Sequence, residues 1–151
     1  FEEIYKNEIL IKIIYSGINY KDILVCSGNP GLVRKFPHVP GIDAAGIVVK
    51  SNSSKFKLGD KVICVAQTTG INTFGGLSEF IKVKDTEVES LPKGISLKQS
   101  MVIGTAGFTS MLSIIKLLKY GLKKKNFPIL VSGATGGVGL FSIFFFKKIR
   151  I

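Results

Sequence analysis

Three glycines near the end of the sequence, Gly133, Gly136 and Gly139, stand at G-x-x-G-x-x-G inside "SGATGGVG". Small residues at that spacing let a backbone come close to a pyrophosphate. A helix opening just behind them offers unpaired N–H groups and a partial positive charge to the phosphates. The chemistry requires a buried strand before the turn and a helix after it. The sequence predicts both, a strand over 129–132 and a helix from about 138. The spacing departs from G-x-G-x-x-G, because Ala134 fills one slot and Gly137 is added. A plain tight turn is the alternative. The residue that would choose between NAD and NADP falls about 20 residues past such a turn, beyond Ile151.

A second candidate is Asp43, set between Ile42 and Ala44-Ala45. A carboxylate in apolar surroundings must find partners, so Asp43 is either structural or part of a site. Metal chemistry is disfavoured. Cys26 and Cys64 lack a matching ligand frame, and His38, the single histidine, reads as a loop residue. A catalytic zinc needs about three Cys, His or carboxylate ligands. Two cysteines make no disulfide framework and fit a reducing compartment. A cytoplasmic location is expected.

The chain carries 21 Lys+Arg against 10 Asp+Glu, a net charge of +11. The excess is mostly scattered Lys, in a chain rich in Ile, Phe, Asn and Lys, and no nucleic-acid-binding motif accompanies it. Nucleic acid is therefore not expected as a partner. Residues 127–146 hold no charge over a length that could span a bilayer. They also contain Pro128, four glycines and a turn motif, so a strand followed by a buried helix is preferred over a membrane span.

The elements that must position these residues read as follows. A strand entering a turn is expected over 8–18, a strand over 44–51, a turn followed by a strand over 56–66 and one or two more strands over 75–92, and a short helical turn follows residue 19. Turn signals every 8–12 residues suggest a barrel or sandwich. Ser96 offers a helix cap. After a Gly-rich break, apolar residues at 108, 111, 112, 115 and 118 have helical spacing, and Gly121 is a C-cap. "LKKKNFP" reads as a polar connector. Lys21 and Asp22 read as a surface pair.

In order along the chain, "SGINYKD", "FPHVPGIDAAGIV", "GGLSEFIKV", "IGTAGFTSML" and "SGATGGVG" resemble the medium-chain dehydrogenase/reductases. The likeness is greatest to their zinc-free, quinone-oxidoreductase-like branch, which includes acryloyl-CoA reductases. It implies an α/β, β-rich fold: a GroES-like β-barrel domain followed by the first βα unit of a Rossmann-type domain. The expected parts are 1–95 for the barrel, 96–126 for a helical bridge and 127–151 for the start of the Rossmann domain. The resemblance implies that one or two strands precede Phe1 and that most of the nucleotide-binding domain follows Ile151. Residues 1–151 alone are then expected to be inactive.

The activity so implied is hydride transfer from NADPH to an activated C=C bond in an acyl-CoA thioester, enone or quinone. A homodimer is implied for the complete protein. Zinc-dependent relatives carry G-H-E where this chain has Gly41-Ile42-Asp43, and Ile42 cannot bind metal. Tyr20 and Asp43 are the catalytic candidates. Tyr20 would donate a hydrogen bond or a proton near the nicotinamide, with a tyrosine packed at the strand end as the alternative. Asn19, Tyr20, Thr105, Thr135, Gly136, Gly137 and Val138 are the cofactor-binding candidates. Thr105 matches the threonine beside the nicotinamide and reads equally as a helix cap. Arg34 is a surface arginine or meets an acidic substrate group such as a CoA phosphate. The competing reading is an inactive remnant or a non-catalytic scaffold of the same fold.

Overall fold

The computed structural model describes residues 3–65, 68–123 and 128–149. Ala66, at the end of one expected strand, and residues 124–127 of the expected connector lie outside the described residues. The chain divides into two compact units, Phe1–Gly104 and Thr105–Ile151.

The first unit is built on β1 (Glu8–Gly17), α1 (Tyr20–Cys26), β2 (Asp43–Ser51), β3 (Lys61–Cys64), β4 (Phe80–Lys84) and β5 (Glu89–Ser90). β1, β3 and β4 alternate buried with half-buried or exposed residues, while Asp43 to Gly46 at the start of β2 are all buried. Ile9 and Ile11, Ala44 and Val48, Val62 and Cys64, and Ile81 and Val83 turn inward and join Phe56 and Val88 in one core. The ladder is antiparallel, in the order β4-β1-β2-β3-β5. Its register pairs Ile11 with Ile81 on one side and with Val48 on the other.

This order forces curvature. The end strands β4 and β5 are four strand spacings apart, about 19 Å in a flat sheet at ~4.8 Å each. Only Asp85–Val88 link them, and Asp85–Glu87 form a 3-10 turn rising about 2 Å per residue. The link is too short for a flat sheet, so the sheet curls as a barrel wall does.

α2 (Leu97–Lys119) starts at the expected cap. Ser96 Oγ accepts from Gln99 N at 3.2 Å, and Gln99 Oε1 accepts from Ser96 N at 2.8 Å, a reciprocal capping box. The helix ends at Gly121, whose N–H reaches Leu118 O while Leu122 N–H reaches Leu117 O. Among the described helices, α2 alone is long and apolar enough to cross a bilayer. Its helical path breaks at Gly104, where φ is 48° and ψ −158°.

In the second unit α3 (Gly137–Ile149) lies against the part of α2 after the kink. The contact runs through small residues: Ser110 Oγ and Ser142 Oγ are 2.8 Å apart, and Ser110 and Ile114 are fully buried. The apolar stripe singled out from the sequence is largely outside that contact, with Phe108, Leu112, Ile115 and Leu118 each at least 38% exposed. The strand expected over 129–132 is not formed. Residues 128–131 have no sheet partner and Leu130 is 94% exposed. A strand needs a neighbour to take up its N–H and C=O groups, and none of the described strands belongs to this unit. Residues 128–146 are not one helix either, since a turn precedes Gly137.

Candidate active site

In the first unit the loop from β1 to α1 brings Asn19 to Asp43, with Tyr20 next in sequence. Asn19 is the N-cap of α1, in extended conformation. Its side-chain Nδ2 donates to Asp43 Oδ2 at 2.9 Å. Asp43 opens β2 and is 1% exposed. The space above its carboxylate is closed by Gly104: a Cβ there would lie 2.5 Å from Asp43 Oδ2. Gly104 is thus required both by its backbone angle and by the buried acid beneath it. Tyr20, first residue of α1, is 73% exposed. It is not packed at the strand end, and its phenol is presented to solvent in this unit.

Asp22 organises this corner, and the sequence reading missed it. The expected surface pair with Lys21 does not exist, because adjacent helical residues point in different directions. Lys21 is exposed and Asp22 is 2% exposed. Asp22 Oδ2 accepts from Asn19 N at 2.7 Å, and Oδ1 accepts from Gly41 N and Ile42 N at 3.0 Å each. The Asn-x-x-Asp spacing was the available signal, a cap residue with an acid three positions on. The carboxylate ties α1 to the segment leading into Asp43.

Backbone contacts hold that segment from its other side. Gly76 N donates to Gly41 O at 2.8 Å and Leu77 N to Pro40 O at 3.0 Å. Gly41 has φ 115°, and a Cβ there would fall 2.6 Å from Gly76 N. Ser16 Oγ donates to Gly76 O. His38 Nε2 donates to Gly70 O at 3.0 Å, with its ring edge-on to Phe74. It serves the loop. Among the described residues no group of three or more His, Cys, Asp or Glu side chains could hold a metal ion.

Cys64 pairs across from Ala44 and is buried. Burial first, then the charges of Glu87 and Asp43, push its thiol up from 9.0 to about 12. It stays protonated and unreactive at neutral pH. The shift is upward, so this thiol's contribution to stability is present below about 9 and is lost as pH rises towards 12. Native protein treated with iodoacetamide at pH 8 is expected to be alkylated at exposed Cys26 and spared at Cys64 until denaturant is added. Equal native labelling of both by mass spectrometry would contradict this.

In the second unit Thr105, half-buried, follows the kink directly. The glycine turn sits at the start of α3. Gly136 N donates to Gly133 O at 3.0 Å. Gly139 is buried under the turn: a Cβ there would land on Gly133 O and lie 2.8 Å from Ala134 Cα. Gly137 lies against Ala106, where a Cβ would approach the Ala106 Cβ at 3.0 Å. Thr135, Gly136, Gly137 and Val138 are exposed. A Cβ on Gly136 would meet only Gly133 O, at 3.4 Å. The first turn of α3 carries no acidic residue. Residues at this turn therefore fit a phosphate-bearing cofactor: the backbone is open, and the N–H groups of a 13-residue helix start there.

Residues 5–93 match the alcohol dehydrogenase GroES-like domain. The chain is 46% identical to the protein YhfP of Bacillus subtilis, named for its likeness to quinone oxidoreductases, over 147 residues, 97% of this chain and 44% of that protein. It is 45% identical to the acrylyl-CoA reductase AcuI of Ruegeria pomeroyi over 132 residues, 87% of this chain and 40% of that protein. The yhdH oxidoreductase of Salmonella enterica, solved in complex with NADP, superposes with a TM-score of 0.92 at 36% identity, over 98% of this chain and 46% of that one. YhfP, solved with NAD bound, superposes with a TM-score of 0.90 over 97% of this chain and 45% of that one. The chain thus spans less than half the length of these relatives.

Proposed function

Because the chain belongs to the medium-chain dehydrogenase/reductase family, with an alcohol dehydrogenase GroES-like domain over residues 5–93, we propose that the protein is an NADPH-dependent reductase of activated C=C bonds. Acrylyl-CoA or a quinone is the substrate class. The observation that carries this reading is the open glycine turn at the start of α3, where Gly136 leaves room for a phosphate against the helix N-terminus. The identity to YhfP and AcuI supports the substrate class. NADPH is taken as the cofactor after the NADP of the yhdH structure, and YhfP, solved with NAD bound, supports the nicotinamide dinucleotide class alone. When bound, the nicotinamide supplies the hydride.

The chain's own residues do the rest. Thr135 to Val138 hold the pyrophosphate, and Thr105 contacts the nicotinamide side. Tyr20 orients the bound pair and delivers a proton to the carbon next to the carbonyl. Asp43 reaches no ligand from its buried place. It is a positioning residue that fixes the Asn19 amide through its Nδ2. The zinc-independent route rests on Ile42 in the slot where zinc-dependent relatives carry a ligand. The complete protein is a cytoplasmic homodimer, and residues 1–151 alone, spanning less than half of each relative, do not turn over.

The test joins activity to the turn. The complete protein is expected to oxidise NADPH in the presence of acrylyl-CoA or a quinone. Gly136→Val is the clean variant, because its Cβ meets only Gly133 O at ordinary contact distance. NADPH affinity should fall at least tenfold, about 1.4 kcal/mol, at unchanged melting temperature. Unchanged affinity in the folded variant would remove the turn from the cofactor site.

A further inference from the structure

A polar cavity lies in the first unit between the loop that carries Arg34 and the loop that carries Asn72. It has a volume of about 470 Å³ and is lined by Arg34, Lys35 and His38 on one loop and by Ile71 and Asn72 on another. No acidic residue lines it. Arg34 and Lys35 are exposed and, among the described residues, enter no ion pair. Two cations left without a counter-charge on one wall are a high local concentration of positive field.

The loop that presents them is built, not loose. Asn29 Oδ1 accepts from Gly31 N at 2.9 Å, and Asn29 O accepts from Leu32 N and Val33 N at 3.1 and 3.2 Å. Val33 is 3% exposed and anchors the middle of the loop. His38 Nε2, donating to Gly70 O at 3.0 Å, ties its far end to the opposite loop. Arg34 is thereby held between two fixed points, and its planar fork is suited to two oxygens of one phosphate. The volume exceeds what a single phosphate needs and admits a pyrophosphate with part of its ester.

We propose that this cavity is an anion subsite that holds the phosphate groups on the non-reacting tail of the substrate, which selects a CoA-type thioester over a quinone. The proposal rests on the reductase reading for its substrate, and its test does not. The chain is titrated calorimetrically with CoA, with pantetheine, which lacks the phosphates, and with inorganic phosphate. CoA is expected to bind, and Arg34→Gln to weaken it about tenfold or more, with Lys35→Gln adding a smaller loss and salt weakening the wild type most. Pantetheine should bind far more weakly and equally to wild type and variants. Equal CoA binding by wild type and a folded Arg34→Gln/Lys35→Gln double variant would overturn the site. So would pantetheine binding as tightly as CoA. Inorganic phosphate displacing CoA at equal concentration would show a free-anion site and overturn the assignment to a substrate tail. If the complete protein reduces nothing with NADPH while Arg34-dependent CoA binding persists, the reductase reading falls and the subsite stands.

Discussion

Tyr20→Phe in the complete enzyme is expected to lower kcat by about 10²-fold or more, with little change in KM. The variant deletes one oxygen. Tyr20 is 73% exposed at the first position of α1, so the fold loses no packing and the effect falls on chemistry. Hydride addition to a conjugated double bond leaves negative charge on an enolate, and a positioned donor stabilises it and returns a proton. Positioned acids contribute about 10²–10⁴ in rate, which sets the range. A group that acts only in the transition state lowers kcat and kcat/KM together. A variant with normal kcat would leave Tyr20 without a catalytic part.

The strands were legible wherever one face is buried. Apolar, β-branched runs such as 8–18 mark them by composition, and in the fold Ile9 and Ile11 in β1, and Ile81 and Val83 in β4, alternate with exposed or half-buried neighbours. The helix ends were legible too, because Ser96 and Gly121 act through local backbone geometry. The sheet order was not. Placing β1 between β4 and β2 depends on pairings between segments far apart in sequence, and alternation says which face is inward but not which strand is adjacent.

The site divides in the same way. The glycine turn is a local motif, and Gly136 and Gly137 at its start are exposed. The strand before it was read from composition alone. Leu130 is apolar and β-like by type, yet 94% exposed, because strand character is completed by a neighbouring chain and not by the residue. Asp43 was recognised as a carboxylate that needs partners, and one of them proved to be the Asn19 amide. Asp22 was misread because its partners Gly41 and Ile42 lie nineteen and twenty residues away, beyond the reach of helix spacing.

Asp22→Ala is expected to be the most destabilising single change in the first unit, by about 3 kcal/mol or more. Three backbone N–H groups, on Asn19, Gly41 and Ile42, lose a charged acceptor at once. Asp22 is 2% exposed and Ile42 is also 2% exposed, so water cannot readily replace the carboxylate there. Each stranded buried donor costs about 1–3 kcal/mol. A loss of that size is a large share of the ~5–15 kcal/mol that typical domains possess. Asp22→Asn is the graded control. It keeps one acceptor oxygen for Gly41 and Ile42 but turns an amide N–H₂ towards the Asn19 N–H, so its loss should be smaller than that of Ala. Urea denaturation of the chain reads both values. The damage should also reach the site, since Asp22 fixes Asn19 and the approach to Asp43 from opposite sides. Asp22→Asn in the complete enzyme should therefore impair turnover even where most of the protein remains folded. An Ala variant within ~0.5 kcal/mol of wild type, the range of ordinary surface substitutions, would show that the carboxylate is not the tie between α1 and β2.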